Sequence, residues 1–416
     1  MQIIHGDCLE KLKELKDNSV DSVVTDPPYG INFMGKKWDY DVPQVDVWKE
    51  CLRVLKPGGH ALVACGTRTQ HRMAVNLEDA GFEIRDIVAW VYGSGFPKSH
   101  NLGKSIDKLQ GNEREVVGNK LTGGIKRPPK ALKSSDEYDE TRTNNYTSGQ
   151  TIIQDTKGSS PYEGWGTALK PAMELWTLCR KPLEEKTVAK NVLKYGTGGI
   201  NIDGCRVETE EKTQRNQTGK HNSTSFSITS KTLTGGHNQG RFPANFIHDG
   251  SDEVVREFPQ TKSGSGIKNP KNGKKSTFRA SVQNNGYYTN GDSGSASRFF
   301  YVAKASKRER NEGLEGFEAK QVFGDNGETY KGLSNSKKPS TNHHPTVKPI
   351  KLMQYLVRLI TPKGGVCLDP YGGSGSTALG CIEEKVDCII IEREAEYIEI
   401  IKARVKFYQM KPKELF

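Results

Sequence analysis

The sequence has no Cys-x-x-Cys pair and no histidine cluster at zinc-ligand spacing; its eight cysteines stand apart at 8, 51, 65, 179, 205, 367, 381 and 388. That pattern indicates neither a disulfide framework nor a structural zinc, and no metal site is expected. Most of these thiols sit in apolar runs such as Ala64-Cys65 and Val366-Cys367. There a cysteine behaves as a small buried hydrophobe, which suits a reducing cytoplasm. Apolar residues are also scarce, at 34% of 416. No apolar run approaches the roughly 18 residues that cross a bilayer, so no membrane partner is expected. The start, Met1-Gln2-Ile3-Ile4, soon meets acidic and lysine residues and does not read as a signal peptide. The expectation is a soluble, cytoplasmic protein.

Acidic charge is outweighed, with 61 Lys and Arg against 50 Asp and Glu and a net charge of +11. Such a balance favours an anionic partner, nucleic acid first, although charge alone leaves a plainly basic surface open. A chain of this length can bury one large core or two ordinary ones.

The few apolar residues are concentrated at the two ends. Up to about residue 99, β-rich runs (Gln2 to His5, Asp21 to Thr25, His60 to Ala64, Ile84 to Val91) alternate with helical stretches near Leu9 to Leu15, Val45 to Leu55 and Thr69 to Ala80. Lys56-Pro57-Gly58-Gly59 reads as a turn between two of them. A second block, from Pro349 to about Phe407, gives a helix over Leu352 to Ile360, a strand Gly365 to Asp369, a helix after Ser376 and a strand Asp387 to Glu392. Alternation of this kind implies βαβ units and a mostly parallel sheet. Between the blocks the chain is polar. Residues 100–165 show almost no periodicity and read as a mobile insertion. Met173 to Cys179 restores a strand, followed by a helix near Leu183 to Leu193.

In the second block, Val366-Cys367-Leu368-Asp369-Pro370-Tyr371-Gly372-Gly373-Ser374-Gly375-Ser376 is a strand, a small-residue turn and a helix start. Glycines there let backbone approach a ligand closely and accept positive φ. Glu392 ends the next strand about 20 residues on, where a carboxylate can grip ribose hydroxyls. The turn also fits a nicotinamide-dinucleotide fingerprint, so it alone leaves the adenosine cofactor open. A phosphate-cradling P-loop is disfavoured because no Gly-Lys-Ser/Thr follows.

In the first block, Asp26-Pro27-Pro28-Tyr29 leaves its strand abruptly, since two prolines cannot continue a ladder. A carboxylate and an aromatic ring are then held together at the carboxyl edge of the sheet, where open α/β folds bind ligands. The pair suits a flipped base. Tyr29 can stack on its face while Asp26, with the Pro27 carbonyl, accepts hydrogen bonds from an exocyclic amino group. The nitrogen lone pair then leaves conjugation and can attack a sulfonium methyl directly, with Pro28 stiffening the turn. An incidental proline turn is the plain alternative.

These motifs resemble the amino-group DNA methyltransferases of the beta class, the Asp-Pro-Pro-Tyr type, and particularly the phage and prophage site-specific adenine-N6 enzymes. In that class the catalytic motif precedes the cofactor motif, as here, and His344-Pro345-Thr346-Val347-Lys348-Pro349 looks like its entry to a cofactor-side helix. The resemblance implies a Rossmann-like α/β methyltransferase fold, circularly permuted, with polar DNA-recognition insertions. It implies S-adenosyl-L-methionine as cofactor and double-stranded DNA as substrate, inside a bacterial or phage-infected cell. By the same resemblance, Asp7 contacts the cofactor's adenine and Glu392 its ribose. Asp369, Gly373 and Gly375 border its methionine part, Tyr371 walls it where the family commonly shows Phe, and Thr346 and Lys348 lie near its carboxylate. Asp7 reads equally well as a helix N-cap.

The chain divides on this reading into a catalytic half (1–99), an insertion that could embrace DNA (100–165), a core strand and helix (166–203), a target-recognition region (204–340) and a cofactor half (341–416). Trp90 or Phe96 could line the base pocket or simply pack in the core. From Thr261 to Arg310 bases outnumber acids: Lys262, Lys268, Lys271, Lys274, Lys275, Arg279, Arg298, Lys304, Lys307, Arg308 and Arg310, with aromatic residues interleaved. Phosphate binding is the reading, centred on Lys271, Lys274, Lys275 and Arg279. Three alternatives stay open: methylation at cytosine N4, a nonenzymatic DNA-binding protein on the same scaffold, and a nicotinamide oxidoreductase. Cytosine C5 chemistry is disfavoured because no Pro-Cys pair occurs. No residue pattern decides between monomer and homodimer, or whether a restriction endonuclease is the cognate partner.

Overall fold

The computed structural model describes residues 1–31, 39–95, 99–122, 151–209, 240–262, 266–268, 287–289, 293–303, 306, 308–320 and 340–411. Nine strands form its main sheet: β1 (Gln2–His5), β2 (Val20–Thr25), β3 (Leu55–Gly66), β4 (Glu83–Val91), β5 (Met173–Arg180), β6 (Phe246–His248), β7 (Tyr301–Val302), β8 (Val366–Asp369) and β9 (Asp387–Glu392). Their order is β1-β9-β8-β2-β3-β5-β4-β6-β7. All neighbours run parallel except β5, which is antiparallel to both β3 and β4. The cofactor-type strand β8 therefore lies directly beside β2, the tetrad strand, with Leu368 opposite Val23.

The central strands are buried on both faces, which is why they read as continuous apolar runs. Successive residues serve opposite sides. Val24, Leu62, Cys367 and Ile390 pack into one core with α7 (Ile350–Ile360) and α8 (Ser376–Glu384). Val23, Val63, Leu368 and Ile391 pack into the other with α1 (Cys8–Lys13), α2 (Val45–Val54) and α3 (Gln70–Asp79). The last helix, α9 (Ala395–Met410), joins the first core through Ile401, Val405 and Tyr408. This is a doubly wound, Rossmann-like α/β sheet, assembled from both ends of the chain.

Three expectations are corrected. Lys56 to Gly59 do not end a segment, because β3 runs through them. The ladder slips there from Val20 opposite Leu55 to Ser22 opposite His60. Gly58 takes φ +76°, and Asn191 Nδ2 donates to the Pro57 carbonyl at 2.8 Å, so the bulge is satisfied rather than broken. The helix placed near Leu183 to Leu193 is α5 (Val188–Tyr195), started by the Thr187 side chain and ended by Gly196 in the left-handed region. Finally, the described part of 100–165 is ordered into α4 (Leu102–Gln110) and an antiparallel pair, Glu115–Thr122 with Thr151–Lys157. Its interior is ionic. Asp107 is fully buried and pairs with Arg114, whose guanidinium also meets Glu163 at 2.8 Å, so hydropathy periodicity could not reveal it. The 204–340 region adds β6 and β7 to the far edge of the same sheet, with the short helix α6 (Asp252–Val255) between them in sequence. Among the described residues, no helix is long and apolar enough to cross a membrane.

Candidate active site

The carboxyl ends of β1, β9, β8, β2 and β3 open into one cleft of about 1450 Å³. Asp7, Asp26, Pro27, Pro28, Tyr29, Thr346, Lys348, Asp369, Tyr371, Gly373 and Glu392 all line it. Gly375 does not. It caps α8 at φ +79° against Ile401 and shapes the turn from behind. Among the described lining residues, nine are Asp or Glu and four are Lys or Arg. A basic protein thus carries an acidic cleft, which favours a cationic ligand.

At one end the carboxylates are held by backbone donors. Glu392 accepts from Gly373 N and Glu394 N, each at 2.7 Å. Burial pushes its carboxyl up, and those N–H groups oppose the push. Asp7 is the N-cap of α1, accepting from Leu9 N at 2.9 Å through Oδ1, and it lines the cleft as well. Capping and ligand contact are therefore compatible. Asp369, 2% exposed, accepts from Thr25 Oγ1 at 2.6 Å and from Tyr371 N at 3.1 Å. Burial pushes its carboxyl up to about 6 despite these bonds.

The tetrad lies at the other end. Tyr29 Oη donates to Asp26 Oδ1 at 2.6 Å, and Lys348 Nζ donates to Asp26 Oδ2 at 2.7 Å. Lys348 also lies 3.2 Å from Glu174 Oε2 and over the Tyr29 ring. Burial works against its ammonium, but Asp26 and Glu174 outweigh that and hold it above its ordinary value. Tyr29 is raised well above its usual range by burial and by the same two carboxylates, so it stays a phenol. The turn itself is clamped from outside. Asp39 Oδ1 accepts from Tyr29 N at 2.6 Å and Gly30 N at 3.0 Å, and Thr69 Oγ1 donates to the Tyr29 carbonyl at 2.6 Å. At Gly66 an added Cβ would stand 3.2 Å from the Tyr29 ring.

Glu174, Asp39 and Thr69 escaped the sequence reading. Glu174 is the second residue of β5, and because β5 runs antiparallel its first residues arrive at the edge where parallel strands end. His344, buried with Nδ1 against the Thr346 carbonyl at 2.7 Å, also lines the cleft, and burial lowers it to about 4. Trp90 belongs to the core, 8% exposed, whereas Tyr92 reaches the cleft. Phe96 lies outside the described residues, as do Lys271, Lys274, Lys275 and Arg279. Of the basic residues placed on phosphate, Arg298 instead donates to the carbonyls of Gly294 and Ser295, at 2.6 and 2.7 Å, and Arg310 to that of His344 at 2.6 Å. Both guanidiniums stitch loops together.

A family model described as DNA methylase matches residues 20–403. The type II methyltransferase M.HinfI of Haemophilus influenzae is 31% identical over 109 residues, 21% of this chain and 30% of that protein. M.BglII of Bacillus subtilis is 34% identical over 107 residues, 23% of this chain and 30% of that protein. The match spans well under half of these relatives' own length. Among solved structures, the cytosine-N4-specific PvuII DNA methyltransferase aligns over 99% of this chain and 87% of its own, at 14% identity and a TM-score of 0.42. The M1.HpyAVI-SAM complex aligns over 97% and 98%, at 15% identity and a TM-score of 0.36. Neither adds to the fold already read from the sheet.

Proposed function

The chain belongs to the DNA methylase family, and from that premise we propose that it transfers a methyl group from S-adenosyl-L-methionine to the N6 amino group of an adenine flipped out of duplex DNA. The observation that carries this reading is the pairing of β2 with β8. It sets Asp26 and the Asp369 to Gly375 turn at adjacent strand ends of one cleft.

The residues fit the cofactor. Its adenosine would lie between Asp7 and Glu392, both acceptors for amino and hydroxyl donors. Its cationic methionine end would face the Asp369 and Gly373 border of an acidic cleft. When bound, it supplies an electrophilic sulfonium methyl. The chain's own task is to present the amino nitrogen. Asp26 and the Pro27 carbonyl accept the amino hydrogens, which turns the lone pair out of conjugation, and the Tyr29 ring stacks on the base. Clamping by Asp39 and Thr69 fixes that geometry before the base arrives, so orientation supplies much of the acceleration. Phosphate contacts fall to Lys271, Lys274, Lys275 and Arg279 on this reading.

Incubating unmethylated duplex DNA with methyl-labelled cofactor, followed by mass spectrometry of the nucleosides, tests it. N6-methyladenine is expected, and none with Asp26→Ala. N4-methylcytosine would overturn the choice of base; DNA binding without transfer would overturn the enzyme.

A further inference from the structure

Lys348, which the sequence resemblance set near the cofactor's carboxylate, reaches the tetrad with its ammonium, 2.7 Å from Asp26 Oδ2. Three elements converge on its ammonium: the turn after β2 with Asp26 and Tyr29, the first residues of β5 with Glu174, and the segment entering α7 that carries Lys348 itself. The side chain is 6% exposed, so these partners, rather than water, satisfy the charge. Each oxygen of Asp26 already accepts one bond, Oδ1 from Tyr29 and Oδ2 from Lys348. An amino group that donates to Asp26 competes there with the Lys348 ammonium.

We propose that Lys348 is a positioning residue that keeps Asp26 and Glu174 ionised side by side and holds the amino group's seat on Asp26 until the target base arrives, when it withdraws onto Glu174. This rests on the function proposed above. Glu174 is essential to the exchange: a buried ammonium cannot leave one carboxylate unless a second receives it. Without the lysine, two carboxylates would share one enclosed site, and one of them would have to take a proton. Burial already pushes Glu174 up, against the pull of Lys348. Among the described residues, the other polar groups facing the pair include Tyr29, Cys65, Tyr92, His344 and Asp369, and none of these supplies a second positive charge.

The test is the pH profile of methyl transfer by the full chain, with cofactor affinity measured by calorimetry. The amino group donates to Asp26, so a proton taken up within the Asp26–Glu174 pair appears as an acid limb in the rate. In Lys348→Met this acid limb should move up by about one unit or more, costing about tenfold in rate on the limb. Cofactor affinity should stay near that of the wild type. In Lys348→Met/Glu174→Gln, with one carboxylate left, the limb should move back. Glu174→Gln alone should raise KM for DNA, since Lys348 then has no second partner. Lys348→Arg, which keeps the charge, should keep the limb in place and serves if the methionine variant does not fold. A limb that stays put in Lys348→Met, a double variant no closer to wild type, or a loss confined to cofactor binding would each overturn the role. If the wild type itself transfers no methyl group, the proposed function falls instead.

Discussion

Thr25 donates its hydroxyl to Asp369 Oδ1 at 2.6 Å, joining residues 344 positions apart in sequence. Thr25 immediately precedes Asp26, and Asp369 opens the glycine turn, so this bond ties the two halves of the cleft directly beneath the tetrad and the turn. Thr25→Val keeps the shape and removes the donor. It should destabilise the fold by about 1–3 kcal/mol in urea unfolding. Asp369 is already raised to about 6 from 3.8 by burial. Losing a bond to its charged form raises it further. A carboxyl whose folded value lies above its unfolded one loses stability as pH rises through the folded value. The penalty of Thr25→Val should therefore be larger at pH 8 than at pH 5, and a penalty independent of pH would show that the hydroxyl does not serve the carboxylate.

Asp39 governs the tetrad without touching the chemistry. Its carboxylate, on a residue 2% exposed, receives Tyr29 N and Gly30 N. Asp39→Ala leaves both N–H groups short of an acceptor, at a cost of about 1–3 kcal/mol. A tetrad displaced by even a fraction of an ångström should lower kcat by roughly 10- to 100-fold. Cofactor affinity should stay unchanged, because Asp7 and Glu392 are held by other donors. Equal losses in kcat and cofactor binding would show that Asp39 supports the whole cleft.

What the sequence disclosed follows the reach of its signals. Apolar runs marked β2, β8 and β9 closely because those strands are buried on both faces. The permuted order then made β2 and β8 neighbours by topology alone. Glu174 and Asp39 carry no local mark, since their meaning depends on an antiparallel strand and on a turn ten residues away. The module containing α4 was invisible because charge, in Asp107, Arg114 and Glu163, fills the place of apolar side chains. Arg298 and Arg310 looked like phosphate ligands in a basic run, but neighbouring carbonyls claim them first.

Glu392 braces the glycine turn from the next strand. Oε2 accepts from Gly373 N, and Oε1 from Glu394 N. In Glu392→Gln one of these donors faces an NH2 group instead of an acceptor, and on the function proposed above the ribose loses a charged partner. Cofactor affinity should fall at least about tenfold by calorimetry, roughly 1.4 kcal/mol. Asp26→Ala should bind cofactor as the wild type does while transferring nothing. Similar cofactor losses in both variants would contradict the division of the cleft into two ends.

His60 gives the fold an acid-sensitive point away from the cleft. It lies on β3 opposite Ser22 and Arg180, 3% exposed, and burial together with Arg180 and Arg85 lowers it to about 4 from 6.5. Between those values the unfolded chain binds a proton that the folded chain refuses. Stability is then present in full above about pH 6.5 and drains as pH falls toward 4. The shift corresponds to about 2–3 kcal/mol, at 1.36 kcal/mol per unit and allowing for partial relaxation around the ring. His60→Leu removes the titration and keeps an apolar body of similar size. Urea unfolding at pH 7, 5.5 and 4 should show the wild type losing ground to this variant by that amount. Parallel stability curves for the two proteins would mean that His60 finds room or water to take its proton inside the fold.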